Sequence, residues 1–566
     1  MHVKGPRGLL RRLLRLGAGL VVIPMAAIAA EADNPLTVPG TIRPELLRPA
    51  GEPFQLPPVE VPPAASTGDA EPAQFKRAVF RGNSVIPTVD LEAIAAPYLG
   101  RGINAAELEE LRQKLTLHYI GKGYVNSGVL LAPDGGVGEL AFNVVEGRLV
   151  AVRVAGLERL EEAYVVRRLA RESDGPLNME VLRERFALLL EDPLFARLNG
   201  RLTPGERAGE AFFDVDAVRA TPYQLRAAVN NYRPPSIGSQ TLSVNGWVRN
   251  LTGIGDQLEA GVQRPIESSS GTRTNLAWRV PLGYYGTRMS IALDRGSSSV
   301  IEEPVNVLGI TSKLRSHEAG IGQSLIEGLQ HKLSVGVDRV QRRNDTFLMG
   351  TPFSFNPGEP SGVTKENLWR LWQDYTYRSE TSVLALRSTF TWGQNNLQPV
   401  AGLPNANNPK SQFNTWLGQG QVAHKLLDNG AQLVGRATVQ RTGDRLLALD
   451  GMAIGGVNTV RGFRENQLVR DAGAIMNLEF EYPLVRNPGK GLNATVVPFY
   501  DHGRAANHGE AGATISSWGL ANRIHWQGFS LDVVIARRLA SPVIAKAAKP
   551  TLQDHGIHVQ LSYSVF

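Results

Sequence analysis

From Thr221 onward the chain alternates. Leu225-Ala227-Val229, Leu333-Val335-Val337 and Leu433-Gly435-Ala437-Val439 place apolar side chains at every second position, the period of a pleated strand. Sixteen such segments follow one another, near 223–231, 241–249, 256–264, 273–281, 286–295, 308–319, 329–341, 367–377, 380–393, 411–425, 430–441, 472–484, 491–501, 513–524, 527–538 and 555–566. Connections after the odd-numbered segments are long (232–240, 265–272, 296–307, 342–366, 394–410, 442–471, 502–512, 539–554). Most of those after even-numbered segments are short, as at 378–379, 427–429 and 525–526. All eight tryptophans, from Trp247 to Trp526, fall in this half. An even strand number, alternating turn lengths and confined aromatics predict a transmembrane β-barrel of the outer-membrane kind. Closure leaves no strand edge unpaired in lipid. A soluble all-β domain is the competing reading.

Before Thr221 the period changes. Ala78–Arg81 reads as a strand, with a turn at Gly82-Asn83-Ser84, and Thr88–Tyr98 as a helix. A second helix opens on Asn104 with Glu107 three residues later, the spacing of a capping box. It carries Leu108, Leu111, Leu115 and Tyr119 on one face and stops at Gly121. Val125–Leu131 and Glu139–Val145 close the unit as strands around Asp134-Gly135-Gly136. The next seventy residues repeat this βααββ order: Val150–Val154, a helix over Leu160–Ala170, a helix over Met179–Leu190 capped by Asn178, then Leu198–Leu202 and Ala211–Val218. Tandem copies of one small unit predict two α+β domains, over 74–148 and 149–220, ahead of the barrel at 221–566.

Composition adjusts this picture at the N-terminus. Five of the positive charges, Lys4, Arg7, Arg11, Arg12 and Arg15, lie in the first fifteen residues; without them 55 basic residues face 53 acidic ones. The formal charge of +7 therefore belongs mainly to a leader and gives no footprint for nucleic acid. An apolar run from Leu16 to Ile23 and the small residues Ala27, Ala29, Ala30 and Ala32 complete a signal peptide over residues 1–30. Residues 31–73 are studded with proline and read as an extended linker. No later stretch reaches eighteen apolar residues, so no transmembrane helix is expected. Cysteine is absent, which excludes disulfides and thiolate chemistry.

One connection stands apart. Residues 442–471 form the longest, and Gly451–Asn466 within it is glycine-rich and carries Val460-Arg461-Gly462-Phe463. A loop of about thirty residues without secondary structure is uncommon and usually functional. By residue type alone, Arg461 reads first as a solvated charge in an exposed loop, its neighbours serving only turn formation. Drawn into a narrow lumen, its guanidinium needs a carboxylate partner to offset desolvation, and Asp501 on a barrel strand is the candidate. Gly455, Gly456 and Gly462 would let the backbone turn where side chains crowd.

These features together resemble a known family. Phe80-Arg81-Gly82-Asn83, Gly121-Lys122-Gly123-Tyr124 and Val144-Val145-Glu146-Gly147-Arg148-Leu149 look like the signature of a POTRA domain. The layout resembles the TpsB transporters of two-partner secretion, the ShlB/FhaC haemolysin-activator type. In that family two POTRA domains precede a sixteen-stranded barrel, and the long sixth outer loop folds into the lumen with a VRG(Y/F) tip. Val460, Arg461, Gly462 and Phe463 match that tip. Phe499 and Asp501, in Phe499-Tyr500-Asp501, match the family's inward Phe-x-Asp motif on strand thirteen. The resemblance implies an outer-membrane transporter whose POTRA domains lie in the periplasm. There they recognise a haemolysin- or adhesin-like exoprotein (the TpsA client), which crosses the barrel unfolded. Its other partner is outer-membrane lipid, and nucleotide, nucleic acid, cofactor and metal have no part. The family's N-terminal plug helix would have to come from the proline-studded segment 31–73.

Enzymatic readings lack their motifs: GxSxG, HExxH and Walker loops are all missing from the sequence. No catalytic residue is assigned. His555 and His558 on the last strand read as lumen-facing or solvated, and Glu302-Glu303 as solvated charge. Phe566 falls out of phase with Ile557, Val559, Leu561, Tyr563 and Val565. An insertase for other barrels and, further off, a diffusion porin remain as alternatives.

Overall fold

The computed structural model describes residues 73–171, 175–266, 271–400, 408–542 and 548–565. The expected signal peptide, the linker with its plug helix, and Phe566 lie outside these residues.

The first unit runs β1 (Arg77–Arg81), α1 (Thr88–Ala95), α2 (Ala105–Gly121), β2 (Gly128–Leu131) and β3 (Glu139–Val145). Central β3 pairs parallel with β1 and antiparallel with β2. Asn104 and Glu107 form the capping box that their spacing predicts. The α1 helix stops at Ala95 and tightens into a 3₁₀ turn over Ala96–Tyr98, shorter than the periodicity suggests, because Pro97 cannot donate to a continuing helix. Leu91, Leu111, Leu115, Tyr119 and Phe142 make its core. The first and third of the quoted POTRA motifs meet in space: Glu146 accepts hydrogen bonds from the Ser84 hydroxyl and the Ser84 and Val85 amides, just after the first motif, and from the Tyr119 hydroxyl. Gly82 makes that turn at φ +87°, where a Cβ would lie 2.6 Å from the Val144 carbonyl oxygen. The carboxyl of Glu146 is pushed up by burial, but these four donors outweigh it and hold the group below the usual carboxylate range.

The second unit has the same order: β4 (Arg148–Ala155), α3 (Glu162–Leu169), α4 (Met179–Leu190), β5 (Phe195–Pro204) and β6 (Glu210–Arg219), with β6 central. Val165, Phe186, Phe213 and Val215 are fully buried at its centre. It sits against the short turns of the barrel. The Glu161 amide donates to the Gly253 carbonyl, Arg249 to that of Pro193, and Glu191 pairs with Arg378 at 2.7 Å.

Sixteen antiparallel strands then close on themselves: β7 (Tyr223–Asn230), β8 (Thr241–Arg249), β9 (Gln257–Pro265), β10 (Arg273–Pro281), β11 (Thr287–Ser299), β12 (Thr311–Glu327), β13 (His331–Leu348), β14 (Val363–Arg378), β15 (Ser382–Asn395), β16 (Gln412–Lys425), β17 (Gln432–Arg441), β18 (Ala472–Asn487), β19 (Leu492–Ala506), β20 (Ala513–Trp526), β21 (Phe529–Ala540) and β22 (Ile557–Val565). Every expected strand is present, several running further toward the long loops than alternation indicated. Beyond the bilayer both faces are wet, and the apolar/polar contrast that marks a strand fades. Outward positions such as Leu225, Leu242, Leu276, Ile321, Leu386 and Leu561 are exposed apolar side chains, the lipid-facing belt. The last strand pairs with the first through six residue pairs, from Gln560↔Asn230 to Val565↔Leu225.

Candidate functional site in the barrel lumen

The 442–471 connection is more ordered than its composition implied. Met452–Ile454 and Leu468–Arg470 pair as a miniature hairpin. Met452, Ile454, Val460, Phe463 and Leu468 pack on Ile475, Ala505 and Ile515 of the wall. The expectation of an irregular loop is corrected: its scattered apolar residues form a small core with the inner barrel surface, a pattern with no regular period to detect.

At the tip, the structure brings Arg461 and Asp501 together. Arg461 Nε donates to Asp501 Oδ2 and Nη2 to Oδ1, both at 2.7 Å, the bidentate fork that suits guanidinium and carboxylate. The Arg461 amide adds a third bond to Oδ2 at 3.0 Å. The ring of Phe499 lies beneath, 3.5 Å from the guanidinium carbon to the ring centroid. Both inward members of Phe499-Tyr500-Asp501 are thus used, while Tyr500 faces outward. Gly462 turns at φ +86°, with its amide on His558 Nε2 (3.1 Å) and its carbonyl accepting from Arg538 Nε (2.6 Å). Phe463 is fully buried under the Arg538 guanidinium. Val460 is equally buried in the loop core.

Several partners escaped the sequence reading. Arg461 Nη1 reaches Glu479 at 2.7 Å, and Glu479 also accepts from Arg436 at 2.7 Å. Asn477 donates to Asp501, and the Ser517 hydroxyl to the Arg461 carbonyl. The visible signal was Asn477-Leu478-Glu479-Phe480-Glu481, polar residues at every second place of a strand. His558 is fully buried in the lumen, whereas His555 belongs to a 3₁₀ turn before β22 and not to the strand. Glu302 is corrected too: with Asp554 it grips Arg464, at 2.8 and 2.6 Å, linking the tip to two other outer connections.

The loop has a second anchorage at its stem. Arg342 of β13 holds Asp450 at 2.9 Å and Glu366 of β14 at 3.4 Å; Arg342 and Glu366 are buried and the Asp450 side chain is only 7% exposed. Tip and stem are therefore fixed to different parts of the wall. Among the described residues no group of metal-ligating side chains forms.

A closed barrel with a POTRA unit on its N-terminal side and a loop drawn into its lumen defines a protein-transporting barrel of the outer membrane, with the POTRA unit in the periplasm. The model of the haemolysin secretion/activation proteins ShlB/FhaC/HecB matches residues 209–524, and that of the ShlB-type POTRA domain residues 74–147. The chain belongs to this family of two-partner secretion transporters. It is 24% identical over 451 residues to the outer membrane transporter CdiB of Dickeya dadantii, covering 78% of each chain. To the heme/hemopexin transporter protein HuxB of Haemophilus influenzae it is 22% identical over 452 residues, covering 75% and 74%. The structure of CdiB from Escherichia coli shares its fold at a TM-score of 0.67 and 19% identity, over 90% of this chain and 94% of that one.

Proposed function

We propose that this transporter captures one exoprotein in the periplasm through its βααββ units, at 74–148 and 149–220, and passes it unfolded through the 221–566 barrel. The 442–471 loop is the gate, Arg461 its latch and Asp501 the catch. The observation that carries this reading is the Arg461–Asp501 fork, buried in the lumen at the tip of that loop. A latch made of charge and hydrogen bonds can be undone by competing polar backbone, which a threading client supplies in quantity. No nucleotide is required, since client folding outside the cell biases movement outward.

Deleting residues 75–220 tests the division of labour. The expected result is a barrel that still inserts and migrates as a heat-modifiable band but exports no exoprotein. Undiminished export would refute the capture role, and would fit a porin-like channel.

A further inference from the structure

On the outside of the barrel four cations stand side by side. The register sets Arg295 of β11 opposite Arg315 of β12, Arg315 opposite Arg343 of β13, and Arg343 opposite Lys365 of β14. All four are exposed, while their strand neighbours Leu314, Ser316, Arg342, Asn344, Thr364 and Glu366 are buried, so the row faces away from the lumen. Directly opposed like charges, with Cβ atoms about 5 Å apart, destabilise a sheet. Here the arrangement is repeated three times. Among the described residues only Arg343 has a carboxylate partner, Asp345 at 2.9 Å.

The row's height on the barrel is informative. It lies at the strand ends that adjoin the long connections 300–310 and 349–362, remote from the second βααββ unit and hence on the outer side. Four residues further into the membrane on β14 is Trp369, paired with Trp392 and carrying the Arg339 guanidinium 4.9 Å above its ring. Such aromatics mark the edge of the hydrocarbon. Four residues of tilted strand place the cations about 10 Å above it, at the level of lipid head groups. The row spans about 15 Å across four strands.

We propose that this row binds the phosphate groups of an anionic glycolipid in the outer leaflet. Three guanidinium forks and an ammonium match phosphate oxygens, and the bound anion removes the repulsion that the bare row suffers. A lipid fits better than a protein partner because the row faces the bilayer boundary, directly over the aromatic belt.

The test uses the full chain purified in detergent and bisphosphorylated lipid A as the probe. Each cation removed should weaken lipid A binding about fivefold, so Arg295→Gln/Arg315→Gln/Arg343→Gln/Lys365→Gln should lose saturable binding. The sign of the stability change is diagnostic and needs only Arg315→Gln. Without lipid A this variant should melt at a higher temperature than the parent, since two like-charge contacts are gone; with lipid A it should melt lower. An unchanged affinity in either variant overturns the proposal. An equal stabilisation by inorganic phosphate would also overturn it, leaving an unspecific anion site. Preferential binding of a polyglutamate peptide over lipid A would do the same, leaving a protein-docking site.

Discussion

Replacing Arg461 by alanine removes three charged hydrogen bonds at 2.7 Å, two to Asp501 and one to Glu479, along with the stacking on Phe499. Glu479 keeps Arg436, but Asp501 is left with Asn477 and one backbone amide. Breaking a buried pair in this way costs about 3–5 kcal/mol. At 1.4 kcal/mol per tenfold, docking of the loop tip weakens by about two to three and a half orders of magnitude. The wall-to-wall strand pairing is untouched, so the barrel itself should assemble. Because the chain lacks cysteine, Asn458→Cys at the loop tip is a clean reporter. In the parent Asn458 is exposed, but to the lumen, so a bulky, impermeant maleimide added outside cells should reach it only slowly, and in the Arg461→Ala background it should label fast. Exoprotein secretion should fall with it. Arg461→Ala/Asp501→Asn should recover barrel stability without recovering slow labelling of residue 458. Normal secretion with residue 458 still slow to label would refute the latch.

Other substitutions separate the remaining contributions. Arg342→Met strands Asp450 and Glu366 as buried carboxylates and should lower the temperature at which the heat-modifiable band converts, at a cost of about 3–5 kcal/mol. The charge-free triple Arg342→Met/Asp450→Asn/Glu366→Gln should restore that temperature. Gly462→Ala forces an L side chain to φ +86° with its Cβ 2.7 Å from that of Ala536, and should loosen the tip as Arg461→Ala does, read by the same labelling. Glu146 gives a pH test in the periplasmic part. Its carboxyl titrates lower folded than unfolded, so its contribution is full above the ordinary value of 4.5 and is lost as pH falls through the depressed one. Hydrogen exchange over 74–147 should show protection dropping on acidification in the parent, and a smaller drop in Glu146→Gln.

The barrel was legible because lipid on one side and water on the other write a period of two into each strand. The capping box at Asn104 and the twin βααββ order were legible for equally local reasons. Arg461 and Asp501 emerged from their match to family motifs at fixed strand positions. What stayed hidden was nonlocal: Glu302 meets Arg464 across 162 residues, and no spacing rule encodes that meeting. Asp450 and Arg342 were hidden likewise, as charges in a sequence full of them. Pro97 is a local signal of the opposite kind: it ends at Ala95 the helix expected over Thr88–Tyr98.

Arg461 and Gly462 at the tip draw their partners from β18, β19, β20, β21 and β22, all of them later in the chain than the loop itself. The tip cannot settle until the final strand has found the first, so seating it belongs to the end of assembly. A seated arginine is then a certificate of a finished ring: a half-built channel has nowhere to place it.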